Sequence, residues 1–166
     1  MTQLKESYSI NEWKQREQYY IQQCQSIIIP PEPTTKDVMQ ITSKIDTLLS
    51  EALFDLSHIK RNLSLYKNKM NLAEKEAFVI CKQQQIAQSN KVTESEVKGL
   101  VVQYLKTHPL DNGKYSIYVL MQNTEYRYTF IESVVNILTE KKGSLISDSA
   151  MMKIESSLNQ SNVGVK

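Results

Sequence analysis

Residues 34–98 contain neither Gly nor Pro. Within that window Val38, Ile41, Ile45, Leu48, Ala52, Leu56, Ile59, Leu63, Tyr66, Met70, Ala73, Ala77 and Ile80 are spaced 3, 4, 3, 4, 4, 3, 4, 3, 4, 3, 4 and 3 apart. Residues three and four apart share a helix face. The pattern predicts one long amphipathic helix with a heptad-like seam and a single stutter. About 45 helical residues, at about 1.5 Å each, extend nearly 70 Å. A helix that long cannot bury its stripe inside one small compact domain. Either it folds back near "NKMNLAEKE", or it packs against other helices along its length, some of them from other subunits.

The flanking segments predict shorter helices. "SINEW" offers Ser9 as an N-cap with Glu12 three residues later, the capping-box arrangement. A helix over about residues 10–25 then places Trp13, Tyr20, Cys24 and Ile27 roughly on one face. "SIIIPPEPTTKD" cannot continue a helix, because its prolines lack the N–H and crowd the preceding turn. It predicts an extended connector whose three isoleucines are covered, by their own subunit or another, with Thr34 or Thr35 capping the long helix. Thr93 and Glu96 predict a second capping box, followed by an apolar face of Val97, Leu100, Val101, Tyr104 and Leu105. Pro109 and Asn112-Gly113 break that helix. Helical spacing resumes over 115–142 with Ile117, Leu120, Tyr128, Ile131, Val135 and Leu138. "KKGSL" predicts an interruption before a last short helix over 144–158, and "NQSNVGVK" a frayed tail. The expected fold is all-α: a long heptad-patterned helix with shorter C-terminal helices, in a coiled-coil or bundle arrangement that assembles as a homo-oligomer. Residues 1–33 form an N-terminal helix and Pro-rich arm, and 34–166 the helical core.

Composition narrows the function classes. The 166 residues carry a net charge of only +2, so any nucleic-acid signal must come from local clustering. Cys24 and Cys81 form no Cys-x-x-Cys pair, which excludes a zinc ribbon and points to reduced thiols. The polar N-terminus resembles no signal peptide, and no apolar run approaches membrane-spanning length. Four scattered glycines supply no phosphate loop. His58 and His108 lack metal-ligand spacing, and Glu94 and Glu96 suit a helix start better than acid–base catalysis. No nucleophile–base set emerges. The expectation is a protein that is no enzyme and carries no cofactor or metal.

The informative window is "SHIKRNLSLYKNKMN", residues 57–71, with four basic residues and no acid. On a helix Lys60, Ser64, Lys67 and Asn71 lie within about 60° of one another, with Arg61 and Asn68 beside them. Lys, Arg, Asn and Ser on one face suit phosphate oxygens. Residues 44–56 contrast with this window, holding Asp46, Glu51 and Asp55 against one Lys. The bland alternative is a solvated helix face. Nine tyrosines are present, and at helical spacing most suit a core or interface better than base stacking.

Two segments carry a resemblance. "IKRNLSLYKNKMN" is similar to a segment of the UvsY-type recombination mediators of bacteriophages, in which a Lys/Arg pair precedes a Leu and a Tyr on a helix implicated in single-stranded DNA binding. "TEYRYTFIESVVNILTEKKGSLISDSAMMKIES" resembles the C-terminal segment of that family. Together they cover about 45 residues of the chain. The resemblance implies that Lys60 and Arg61 contact DNA, with Lys67 and Lys69 as weaker candidates. It places Ile131, Val135, Leu138 and Leu145 at or near subunit contacts of a ring-like homo-oligomer. Lys141 and Lys142 match a basic pair of unassigned role. "IIIPPEPTT" and "THPLDNGKY" have no counterpart in the family. The implied function is to bind single-stranded DNA in the cytoplasm, of a bacterial host if phage-encoded, and to help a RecA-like recombinase displace single-stranded-DNA-binding protein. The rival reading is a coiled-coil scaffold that binds only protein.

Overall fold

The computed structural model describes residues 10–88, 93–109 and 115–163, and side chains within 11–88, 93–109 and 115–151. Among these residues every regular element is a helix: α1 (Ile10–Ser26), α2 (Thr35–Ala87), α3 (Glu94–Thr107) and α4 (Ile117–Val163). The only bridge pairing among them is an isolated antiparallel one between Pro109 and Ser116. Ser9 and Asn112-Gly113 lie outside the described residues.

The long helix does not fold back. α2 is 53 residues long, about 80 Å at 1.5 Å per residue. Thr34 and Asp37 start it reciprocally. The Thr34 N–H donates to the Asp37 carboxylate at 2.9 Å, and the Asp37 N–H donates to Thr34 Oγ1 at 3.2 Å. Every residue of the predicted stripe is buried or half-buried. α4 is also a single helix, of 47 residues, which corrects the expected interruption at "KKGSL". One helical Gly costs only about 1 kcal/mol. Here Lys141, Lys142 and the buried Leu145 tie both sides of Gly143 to other elements.

The chain divides into two compact units, to both of which α2 and α4 contribute. The first holds α1, α2 up to Leu56, and α4 from Phe130. Trp13, Tyr20 and Ile27 are buried there with Ile45, Leu48 and Ala52 of α2 and Ile131, Val134, Leu138 and Leu145 of α4. Trp13 meets Phe130 edge-on at 6.0 Å. The isoleucine run is only partly covered: Ile27 is buried and Ile29 half-buried, while Ile28 is 76% exposed. Successive residues of an extended segment point to opposite sides, so one of three adjacent isoleucines faces out.

The second unit is contiguous, Ser57–Thr129. Ala77 and Cys81 of α2, Val97, Val101 and Leu105 of α3, and Ile117 of α4 form its core, flanked by Tyr66, Met70, Phe78 and Tyr104. The predicted capping box is present. Thr93 Oγ1 accepts from the Glu96 N–H, and the Glu96 carboxylate accepts from the Thr93 N–H at 2.7 Å.

Candidate nucleic-acid interface

Within the second unit, one face of α2 is apolar and packed, while the face about 120° round the helix is polar and open. Ile59 is buried and Leu63, Tyr66 and Met70 are half-buried. Lys60, Ser64, Lys67 and Asn71 are all exposed. Because α2 is unbroken here, these four residues stay within about 60° of one another. Lys75 and Lys82, also exposed, continue the strip within about 60° of Lys60. Between Ser57 and Ala87, α2 carries six cations against Glu74 and Glu76. Among the described residues no ion pair engages Lys60, Arg61 or Lys67.

The four sequence-predicted cations are not equivalent. Lys60 and Lys67 share the strip. Arg61 is exposed on its shoulder, about 100° round from Lys60. Lys69 is exposed but nine residues from Lys60, which puts it on about the opposite side of the helix. It is not part of the strip.

At its C-terminal end the strip meets a groove of ≈ 790 Å³ between α2 and α3. Asn71, Glu74, Lys75, Phe78, Lys98, Val101 and Val102 line it, three apolar side chains together with two cations and one carboxylate. Lys98 is paired to Glu94 at 3.0 Å, the usual i,i+4 arrangement on an exposed face. Nothing in the sequence reading pointed to this groove, because it depends on how α3 lies against α2.

No protein-family model, curated protein or solved structure matches this chain.

The acidic stretch before the strip has a structural use that its sequence did not disclose. Asp55 is 2% exposed and accepts from Arg16 Nε and from the Tyr20 hydroxyl, each at 2.8 Å. Arg16 also lies 3.3 Å from the Glu51 carboxylate, and its guanidinium sits 4.8 Å from the centroid of the Tyr20 ring. Burial pushes the Tyr20 phenol well above its ordinary range, and the Asp55 hydrogen bond adds to this, so the hydroxyl remains a donor. Burial opposes the charge of Arg16, but the Asp55 bond and the nearby oxygens outweigh it and hold the guanidinium protonated. Asp46 accepts from Lys142 at 2.7 Å. Asp46, Glu51 and Asp55 therefore join α1 and α4 to α2, and the charge contrast along α2 is partly a packing feature.

Lys141 and Lys142 acquire roles in the same unit. Lys141 Nζ donates to the carbonyls of Cys24 and Ile27, each at 2.8 Å, capping the end of α1 with a cation. Ile131, Leu138 and Leu145, which the resemblance put at subunit contacts, are completely buried in their own unit, and Val135 is half-buried. Contacts within the unit already cover Ile131, Leu138 and Leu145. The apolar residues that α4 exposes instead include Ile137, Ile146 and Met151.

The tyrosines divide in a similar way. Tyr20 is core, Tyr66 packs on the core of the second unit, and Tyr104 stacks on His108 at 3.7 Å. Tyr126 is 56% exposed. Among the described residues no group of three or more His, Cys, Asp or Glu is placed to hold a metal ion. Nor is any helix among them long and apolar enough to cross a membrane.

Proposed function

We propose that this chain is a non-enzymatic single-stranded-DNA-binding protein of the recombination-mediator class, which helps a RecA-like recombinase assemble on single strands held by single-stranded-DNA-binding protein. The carrying observation is the exposed strip Lys60–Ser64–Lys67–Asn71 on an uninterrupted helix, without ion-pair partners and leading into the α2–α3 groove. Charge supplies affinity for phosphates, and the hydroxyl and amide add hydrogen bonds that ignore base identity. The resemblance of "IKRNLSLYKNKMN" to a DNA-binding segment of UvsY-type mediators supports the same residues. Such a mediator acts as a ring-like homo-oligomer, in which repetition of a modest strip gains avidity.

The test is fluorescence anisotropy with labelled oligo-dT of about 40 nucleotides against a duplex control, at two salt concentrations. Tight, salt-dependent binding that prefers the single strand is expected. Each phosphate contact on a single strand contributes about 0.7 to the log–log salt slope, so K60A/R61A lowers the slope by about 1.4. Unchanged affinity in that variant, with helicity retained, would refute the assignment. A protein-only scaffold is favoured by one observation, an exposed apolar stripe on α2. On heparin a scaffold with net charge +2 elutes early and an assembly of basic strips late.

A further inference from the structure

α2 carries a second regular apolar stripe besides the one it buries. Leu65, Leu72, Val79 and Ile86 are spaced seven residues apart. They are 38%, 61%, 53% and 65% exposed. On a straight helix a seven-residue repeat drifts by only about 20° per step, so the four side chains form one line about 60° wide. All four lie in the second unit, which buries a different face of the same helix. Scattered exposed hydrophobics are ordinary on a protein surface, whereas a heptad line of Leu, Leu, Val and Ile is the pattern one helix presents to another.

The charges beside the line indicate what kind of helix fits. Arg61, Lys75 and Lys82 stand four residues before Leu65, Val79 and Ile86, so each lies against the stripe on the same side. On the other side Lys69 and Glu76 stand four residues after Leu65 and Leu72, and their charges offset each other. The stripe is therefore bordered by a cationic margin along one side. An antiparallel second copy of α2 would set the same cations against one another, and a parallel copy would set them against the Lys69/Glu76 side, whose charges cancel, so neither supplies the complement to Arg61, Lys75 and Lys82. An acidic partner brings the complement.

We infer that the Leu65–Leu72–Val79–Ile86 face is a docking surface for an acidic amphipathic helix of a partner protein, gripped through its apolar seam and oriented by Arg61, Lys75 and Lys82. The inference stands independently of the DNA reading. The two surfaces share Arg61, Lys75 and Lys82, so a single strand and the acidic helix compete for them if both bind.

The test uses the full chain and a fluorescent synthetic peptide of about four heptads, with Leu at its seam positions and Glu beside them. The controls are the same peptide with Lys in place of Glu and a scrambled version. Binding of the Glu peptide, and of neither control, is expected. L72S/V79S changes two exposed positions, so helicity by circular dichroism is retained while peptide affinity falls about tenfold or more. K75E/K82E reverses the margin and shifts the preference toward the Lys peptide. Equal binding of the Glu and Lys peptides, or unchanged affinity in L72S/V79S, overturns the inference. So does a sedimentation experiment in which the wild-type assembly falls apart in L72S/V79S, because the stripe would then be an interface between copies of this chain.

Discussion

Replacing Asp55 with Ala should destabilise the first unit by about 3 kcal/mol. The carboxylate is 2% exposed and accepts from both Arg16 and Tyr20 at 2.8 Å. Its removal leaves the hydroxyl proton of a completely buried Tyr20 without its acceptor, which costs about 1–2 kcal/mol, although the oxygen still accepts from Arg16 at 3.1 Å. It also removes a charged hydrogen bond from Arg16. That loss is discounted to about 1–1.5 kcal/mol, because the Arg16 side chain is 26% exposed and keeps Glu51 nearby. Asp55→Asn retains one acceptor oxygen and should cost roughly half as much. For a chain of this size the Ala variant should lose about 6–12 °C in melting temperature. The assay is urea unfolding followed by Trp13 fluorescence. Trp13 is the only tryptophan and is buried in this unit, so its signal isolates the affected part. R16M/D55L, with both charged partners made apolar, should recover only the Arg16 share of the loss, because the buried Tyr20 hydroxyl still lacks its acceptor. A D55A midpoint within about 0.5 kcal/mol of wild type would refute the claim that this network holds α1 to α2.

Other consequences are measurable with single substitutions. Lys67→Ala should lower the salt slope of oligo-dT binding by about 0.7, whereas Lys69→Ala, on the far side of α2, should leave it unchanged. Gly143→Ala should raise the urea midpoint by an amount worth about 1 kcal/mol, since an added Cβ meets nothing within 4 Å and the helical backbone already suits Ala. The Thr93 backbone bond, and then its hydroxyl, hold the Glu96 carboxyl below its ordinary range. A depressed folded value means that the capping box contributes stability above the ordinary glutamate range and loses it as pH falls through the lowered value. The difference in urea midpoint between wild type and Glu96→Gln should therefore shrink below about pH 4.

The parts of the fold set by local periodicity and capping were legible in advance. The stripe from Val38 to Ile80, the Thr93–Glu96 box and the stop after Thr107 all follow from spacing and side-chain chemistry within a few residues. What was not legible depended on distant partners. Asp55 looks like any acid on a helix until Arg16 and Tyr20, 39 and 35 residues away, enclose it. Lys141 and Lys142 look like a surface pair, yet one caps α1 and the other meets α2. Gly143 suggested a break because a local rule was applied without the tertiary contacts that hold the helix on both sides. Lys69 was grouped with Lys67 by proximity in sequence, although two residues on a helix face differ by about 200°. The second stripe was visible as a seven-residue spacing, but the stronger three-and-four alternation on the same helix drew the reading.

The contact between Lys141 and the end of α1 spans 117 residues, and that between Lys142 and Asp46 spans 96. The second unit needs nothing beyond Thr129, but the first needs α4 from Phe130 onward. During synthesis the middle of the chain can therefore pack as soon as Thr129 has left the ribosome. Arg16 and Tyr20 can meet Asp55 of α2 earlier, but Trp13 and Ile27 lack their α4 contacts until the segment from Phe130 follows. At about 5–20 residues per second the roughly 120 residues between the two segments take about 6–24 s. In that interval residues 13–29 are vulnerable to aggregation, and protease pulses on stalled chains should cut near them.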